Sequence, residues 1–172
     1  LFLFYKQFST CVIDVNCIVY ERILSSIFLF IVFCILTYIS YKDFKTMEVD
    51  NIASLILMLS LVIITIILFF VPTWKELAFQ KLLGAIILGA IFQIIVLVTK
   101  EKGLGQGDVR IAIISGILVG ATNLILWLYI TIFSALIYGL ILAYKKKKFR
   151  GLKVPFVPFM VLGIFITLLI FL

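Results

Sequence analysis

Four stretches of this chain, Ile23 to Tyr41, Ile52 to Val71, Leu82 to Val98 and Leu124 to Tyr144, contain no charged residue. Each is close to or above the roughly 18 apolar residues that mark a membrane crossing. Inside lipid no water is available to backbone amides and carbonyls, so a crossing chain must satisfy them within helices or a closed barrel. A barrel requires polarity that alternates along segments of about ten residues, whereas these runs are apolar throughout. The sequence therefore predicts an all-α, polytopic membrane protein. Its composition agrees: 65% of residues are hydrophobic and 13% charged, against about half and about a quarter in soluble domains.

Taken in order, residues 1–22 mix apolar residues with Lys6, Asp14, Glu21 and Arg22 and read as an interfacial or irregular lead-in. Residues 23–172 read as one domain, a bundle of six transmembrane helices. The first span is Ile23–Tyr41, followed by the polar loop 42–51 and a second span closed by Pro72. Trp74, Lys75, Glu76 and Lys81 mark an interface, where tryptophan favours the headgroup level. In the third span, Leu82–Val98, Gly84 and Gly89 are expected to permit close helix approach. Beyond Arg110 the chain stays uncharged to Tyr144, too far for one crossing at about 1.5 Å per residue. Gly120-Ala121-Thr122-Asn123 is the natural break, between a short fourth span, Val109–Val119, and a fifth, Leu124–Tyr144. Lys145 to Lys148 stop the fifth, and the sixth runs from Pro155 to the carboxyl terminus.

The net charge of +7 is explained by loop lysines that orient the helices and meet anionic lipid, so the bilayer is the expected partner and nucleic acid is not. Loops 42–51, 100–110 and 145–153 carry two, three and six Lys/Arg, and the opposite side carries Lys6, Arg22, Lys75 and Lys81. The positive-inside rule places the first group in the cytoplasm. Asp43 and Asp108 then share the cytoplasmic face of the cell membrane. Among the cysteines, Cys34 is expected to be a small packing residue, and Cys11 and Cys17 are able to pair if they face an oxidising compartment. Their spacing is not that of a structural zinc site.

The chain has no histidine, which removes histidine triads and histidine-ligated metals, and no cofactor or metal is expected. The carboxylates at the mouths of apolar segments are the chemical suspects, because ionisable groups there are costly. Asp108 follows the polar turn Gly103-Leu104-Gly105-Gln106-Gly107, and Asp43 lies at the end of the first span. Either alone is readily explained as a helix cap or a boundary residue. Together, two nearby carboxyl groups share a proton because both cannot easily ionise. One activates water and the other polarises a carbonyl, which suffices for peptide hydrolysis. The glycines are either a plain connector or a hinge that carries Asp108 toward Asp43.

Gly105-Gln106-Gly107-Asp108 matches the GxGD motif of aspartyl intramembrane proteases. The longer GLGQGDVRIAIISGILVG resembles the second-aspartate block of type IV prepilin peptidases, with Arg110 where lysine is usual and Gly116 and Gly120 at matching offsets. Asp43 to Asn51 resembles the first-aspartate block, with Asp50 in place of proline. Lys153-Val154-Pro155-Phe156-Val157-Pro158-Phe159 resembles the element ahead of the last span, with Val157 in place of glycine. The resemblance covers residues 23–172. It implies an endopeptidase that removes the basic leader of type IV pilin-like precursors at the cytoplasmic membrane face, with Asp43 and Asp108 as the catalytic pair. Gly103, Gly105, Gly107, Arg110, Asn51, Pro155, Phe156, Pro158 and Phe159 would shape the site, and Glu48 and Asp50 would meet the basic leader. The paired cysteine motifs and soluble loop of bifunctional members are missing, so peptidase activity without methylation is expected. Two alternatives are a GxGD peptidase for another small membrane substrate and a proton- or ion-coupled transporter without enzymatic activity.

Overall fold

The computed structural model describes residues 15–46, 49–100, 104–146 and 154–171, with side chains from residue 26 onward. These residues form α1 (Val15–Thr46), α2 (Asn51–Phe69), α3 (Lys75–Thr99), α4 (Gln106–Val119), α5 (Leu124–Lys146) and α6 (Val157–Phe171). A single 3-10 turn, Ala121–Asn123, links α4 to α5, and the described residues include no strand. The protein is thus a polytopic helical membrane protein, as its uncharged runs require.

Four helical stretches are long and apolar enough to cross a membrane: Ser26–Thr46, Asn51–Phe69, Lys75–Thr99 and Ala121–Lys145. The expected fourth and sixth spans are helices too, but they have only 14 and 15 residues. At about 1.5 Å per residue they reach about 21–23 Å, short of the ~30 Å hydrocarbon core. For α4 the reason is its place at the centre. It packs against α2, α3 and α6, and ten of its fourteen residues are buried. Neighbouring helices, rather than lipid, enclose it.

Other boundaries also differ from the expected ones. α1 starts at Val15 rather than Ile23, and it continues to Thr46 through residues expected to form a loop. The Thr46 hydroxyl donates to the Lys42 carbonyl at 2.8 Å and helps close this last turn. Asp43 therefore sits on a helix. α3 starts at Lys75 rather than Leu82, with Glu76 in its first turn, where a carboxylate favours the positive helix end. Lys81 has a partner inside the protein. Its Nζ reaches into the bundle and donates to the Ile117 carbonyl at 3.3 Å, in the last turn of α4.

Gly84 on α3 and Gly116 on α4 bring two backbones into contact. A Cβ added at Gly116 would lie 2.5 Å from the Gly84 carbonyl oxygen and 2.6 Å from the Ala85 nitrogen. Close approach was expected of Gly84; its partner is the glycine of the second-aspartate block. Gly89 is looser, facing only the flexible side chain of Ile113. Around this crossing, Leu36, Ile39, Leu88, Ile111, Ile114 and Ile164 form a closed apolar core. Trp127 is fully buried within it and donates its indole N–H to the Met160 carbonyl at 3.2 Å. The outer faces stay apolar, as at Ile125 and Val98, because there lipid is the solvent. Cys34 is free and exposed rather than packed inside, and the side chains of Cys11 and Cys17 lie outside the described residues.

Candidate active site

Asp43 occupies the last turn of α1 and Asp108 the first turn of α4. They are 65 residues apart in sequence, yet both are buried, at 5% and 9% exposure. They stand close enough for the charge on Asp43 to act on Asp108. The bundle thus gathers its two membrane-mouth aspartates at one end.

Local structure explains each placement. The Asp108 amide donates to the Gly105 carbonyl at 3.1 Å, and the Asp108 Oδ2 accepts from the Gly105 amide at 2.9 Å. This reciprocal pair satisfies donors that a helix start leaves open. The capping role expected of Asp108 is real, and it fixes the carboxylate at the positive end of α4. Asp43 lies at the opposite kind of end, the carboxyl terminus of α1, but faces the backbone N–H of Val157 at the start of α6. Its Oδ2 is buried without a hydrogen-bond partner. An unmade bond of that kind costs about 1–3 kcal/mol, and such groups in a native structure call for an explanation.

Neither glycine of the GxGD motif lies in the left-handed region. Gly105 is exposed and extended (φ −93°, ψ 169°), and Gly107 is buried inside the helix. Gly120, the α4 C-cap with φ 76°, is the one described glycine in the left-handed region. What Gly107 supplies is space: a Cβ there would lie 2.5 Å from the Val49 Cβ. Gly103 and Glu48 lie outside the described residues.

The remaining candidates frame the same end. Arg110 Nη1 donates to both the carbonyl and the side-chain oxygen of Asn51, at 3.1 and 3.2 Å, tying α4 to the start of α2. Pro155 is buried, and Phe156 stacks at an angle on Phe92, with ring centroids 6.1 Å apart. Pro158 occupies the first turn of α6, where proline is tolerated. Phe159 meets Tyr138 at 5.3 Å, and Tyr138 also meets Phe44, at 6.2 Å. Val49 and Tyr138 were not singled out from the sequence for this site, and Val157 was noted only as standing in place of a glycine. Tyr138 offered a faint signal as an aromatic near a span end, whereas Val49 offered none.

Asp50 is committed locally. It caps α2 through the Ile52 and Ala53 amides, at 3.3 and 3.4 Å, and pairs with Lys42 Nζ at 2.6 Å. The Lys42 ammonium, with these amides, holds the Asp50 carboxyl below its ordinary value of 3.8. A depressed folded value means that this stabilisation is present above the ordinary value and lost as pH falls through the folded one. Asp50→Asn keeps a cap oxygen but loses the charge. We expect it to melt below wild type at about pH 7 and to converge with wild type only in acid well below the ordinary value, where the folded carboxylate takes up its proton. Thermal melting in detergent checks this; an equal gap at both pH values would show that the ion pair contributes nothing.

Comparison with known proteins adds one match. The profile of the type IV leader peptidase family matches residues 30–140, which include both aspartates but not the Pro155–Phe159 block. No curated protein and no solved structure gives a match.

Proposed function

Because this chain belongs to the type IV leader peptidase family, we propose that it is an aspartyl endopeptidase whose catalytic pair is Asp43 and Asp108. Its substrate would be a type IV pilin-like precursor, cut between a basic leader and the apolar helix that follows, at the cytoplasmic face of the cell membrane. The observation that supports this reading is the burial of two carboxylates, one in the last turn of α1 and one in the first turn of α4, in a bundle whose core is mainly apolar.

The chemistry follows from that pair. With one proton shared, the ionised carboxylate takes a proton from water as its oxygen attacks the scissile carbonyl carbon. The protonated partner gives its proton to the carbonyl oxygen. As the tetrahedral intermediate collapses, the C–N bond breaks, the leaving amine takes the proton that the first carboxylate drew from water, and a hydroxyl proton of the intermediate returns to the other carboxylate. The pair titrates as a unit, so neither aspartate is assigned as permanent acid or base. The unpartnered Asp43 Oδ2 supports this use, because an open acceptor is available to a water or a carbonyl group.

Glu48 and Asp50 would receive the basic leader, with a leader lysine or arginine exchanging for Lys42 at Asp50. The test is cleavage of a pilin-like precursor in membranes containing this protein. We expect one cut directly ahead of the apolar helix, slowed when the leader cations are neutralised or when Glu48 and Asp50 are both reversed to lysine. No cleavage by the intact protein would sink the peptidase reading. Unchanged cleavage after charge reversal would sink the leader contact alone.

A further inference from the structure

Among the described residues, the helices that carry the two aspartates make little direct contact. α1 packs chiefly on α6, only lightly on α2, and shares no extensive interface with α4. Direct packing between α1 and α4 therefore does not set the spacing of Asp43 and Asp108. Thr46 ends α1, and three residues later Val49 lies against Gly107, one residue before Asp108. Two residues further, Asn51 is held by Arg110, on the same first turns of α4.

We propose that Val49 is a positioning residue: its side chain keys into the space left by Gly107 and, with the Arg110–Asn51 clasp, sets the end of α1 and so Asp43 against Asp108. This rests on the dyad reading above and extends it to a residue that touches no reacting atom. It also gives Gly107 a specific requirement. A Cβ at position 107 would stand 2.5 Å from the Val49 Cβ and 2.8 and 3.0 Å from its two methyl groups. The nearest obstacle is the branch point, attached to the backbone, so no rotamer change relieves the collision. The Val49 backbone has to retreat, and on this proposal the retreat carries the end of α1, and with it Asp43, away from Asp108. A misplacement of about 1 Å costs a catalytic constellation about 10²-fold.

The test exchanges which partner carries the Cβ. In precursor cleavage, Gly107→Ala is expected to lower kcat by about 10²-fold with a far smaller change in KM. Adding Val49→Gly should restore most of kcat, while adding Val49→Ala should restore only part, because the blocking Cβ remains. Arg110→Met should lower kcat, with Arg110→Lys recovering part of it by keeping a donor for Asn51. A double variant Val49→Gly/Gly107→Ala no more active than Gly107→Ala alone would overturn the proposal. So would a Gly107→Ala loss that lies wholly in KM or in the folded fraction. Melting of the same variants in detergent separates this idea from the function it rests on. If the wild-type protein cleaves no precursor, the peptidase reading fails. The key is then judged by whether Val49→Gly reverses the Gly107→Ala drop in melting temperature, with reversal upholding it and no reversal overturning it.

Discussion

Replacing either Asp43 or Asp108 by asparagine is expected to remove leader cleavage, by about 10²–10⁴-fold or to below detection. Asparagine matches aspartate in shape but neither accepts nor donates the mobile proton. At Asp108 the amide oxygen is still able to accept from Gly105, so the cap that holds the start of α4 should survive. At Asp43 the substitution places a neutral group beside the Val157 amide and beside an oxygen position that has no partner. Both variants should therefore insert and melt near wild type while losing activity. The measurement is precursor cleavage alongside melting in detergent. Because the two groups act as a unit, the double variant should be little worse than either single one. Cleavage retained in either single variant would sink the two-carboxylate mechanism and make proton or ion transport the reading to test.

The largest effect on stability is expected at the α3–α4 crossing. Gly116→Ala would put a methyl group 2.5 Å from the Gly84 carbonyl oxygen and 2.6 Å from both the Gly84 carbonyl carbon and the Ala85 nitrogen. All three are backbone atoms, so the helices must separate. Inserting one extra carbon into a packed core costs about 1–3 kcal/mol, occasionally more, and the rigidity here argues for about 3 kcal/mol or above. The reciprocal change, Gly84→Ala, meets the Gly116 carbonyl oxygen at 2.7 Å and should behave alike. By contrast Gly89→Ala meets only an Ile113 side chain and should be mild. Thermal melting and accumulation in membranes rank the three; a Gly89 variant as damaged as Gly116→Ala would contradict the packing account.

Much of this architecture is legible in the sequence. Uncharged runs dictate helices because lipid leaves a backbone few alternatives, and two of the four aspartates, Asp43 and Asp108, stand out as candidates because ionisable groups at the mouths of apolar segments are costly. Gly84 is legible as a contact residue for the same reason: small residues have few other uses on a membrane helix. What escapes is decided by tertiary context. Hydropathy ends the first span at Tyr41, where charge begins, but a helix needs no apolar residue to continue, and α1 carries Asp43 past that point. Hydropathy also makes α4 a span, although its enclosure by other helices frees it from having to cross the bilayer. Val49 is invisible because nothing about one valine in a polar loop announces that a glycine 58 positions later is shaped around it.

The Lys81 contact acquires a wider meaning once both ends of α4 are considered together. One end is tied to α2 through the Arg110–Asn51 bonds, the other to α3 through Lys81 and the Ile117 carbonyl. Sliding α4 along its axis in either direction would break bonds at both ends at once. The central helix is thus held like a bolt seated at head and tip, unsuited to piston-like strokes. Relative movement of the two carboxylates falls instead to α1, the strut with the lighter moorings.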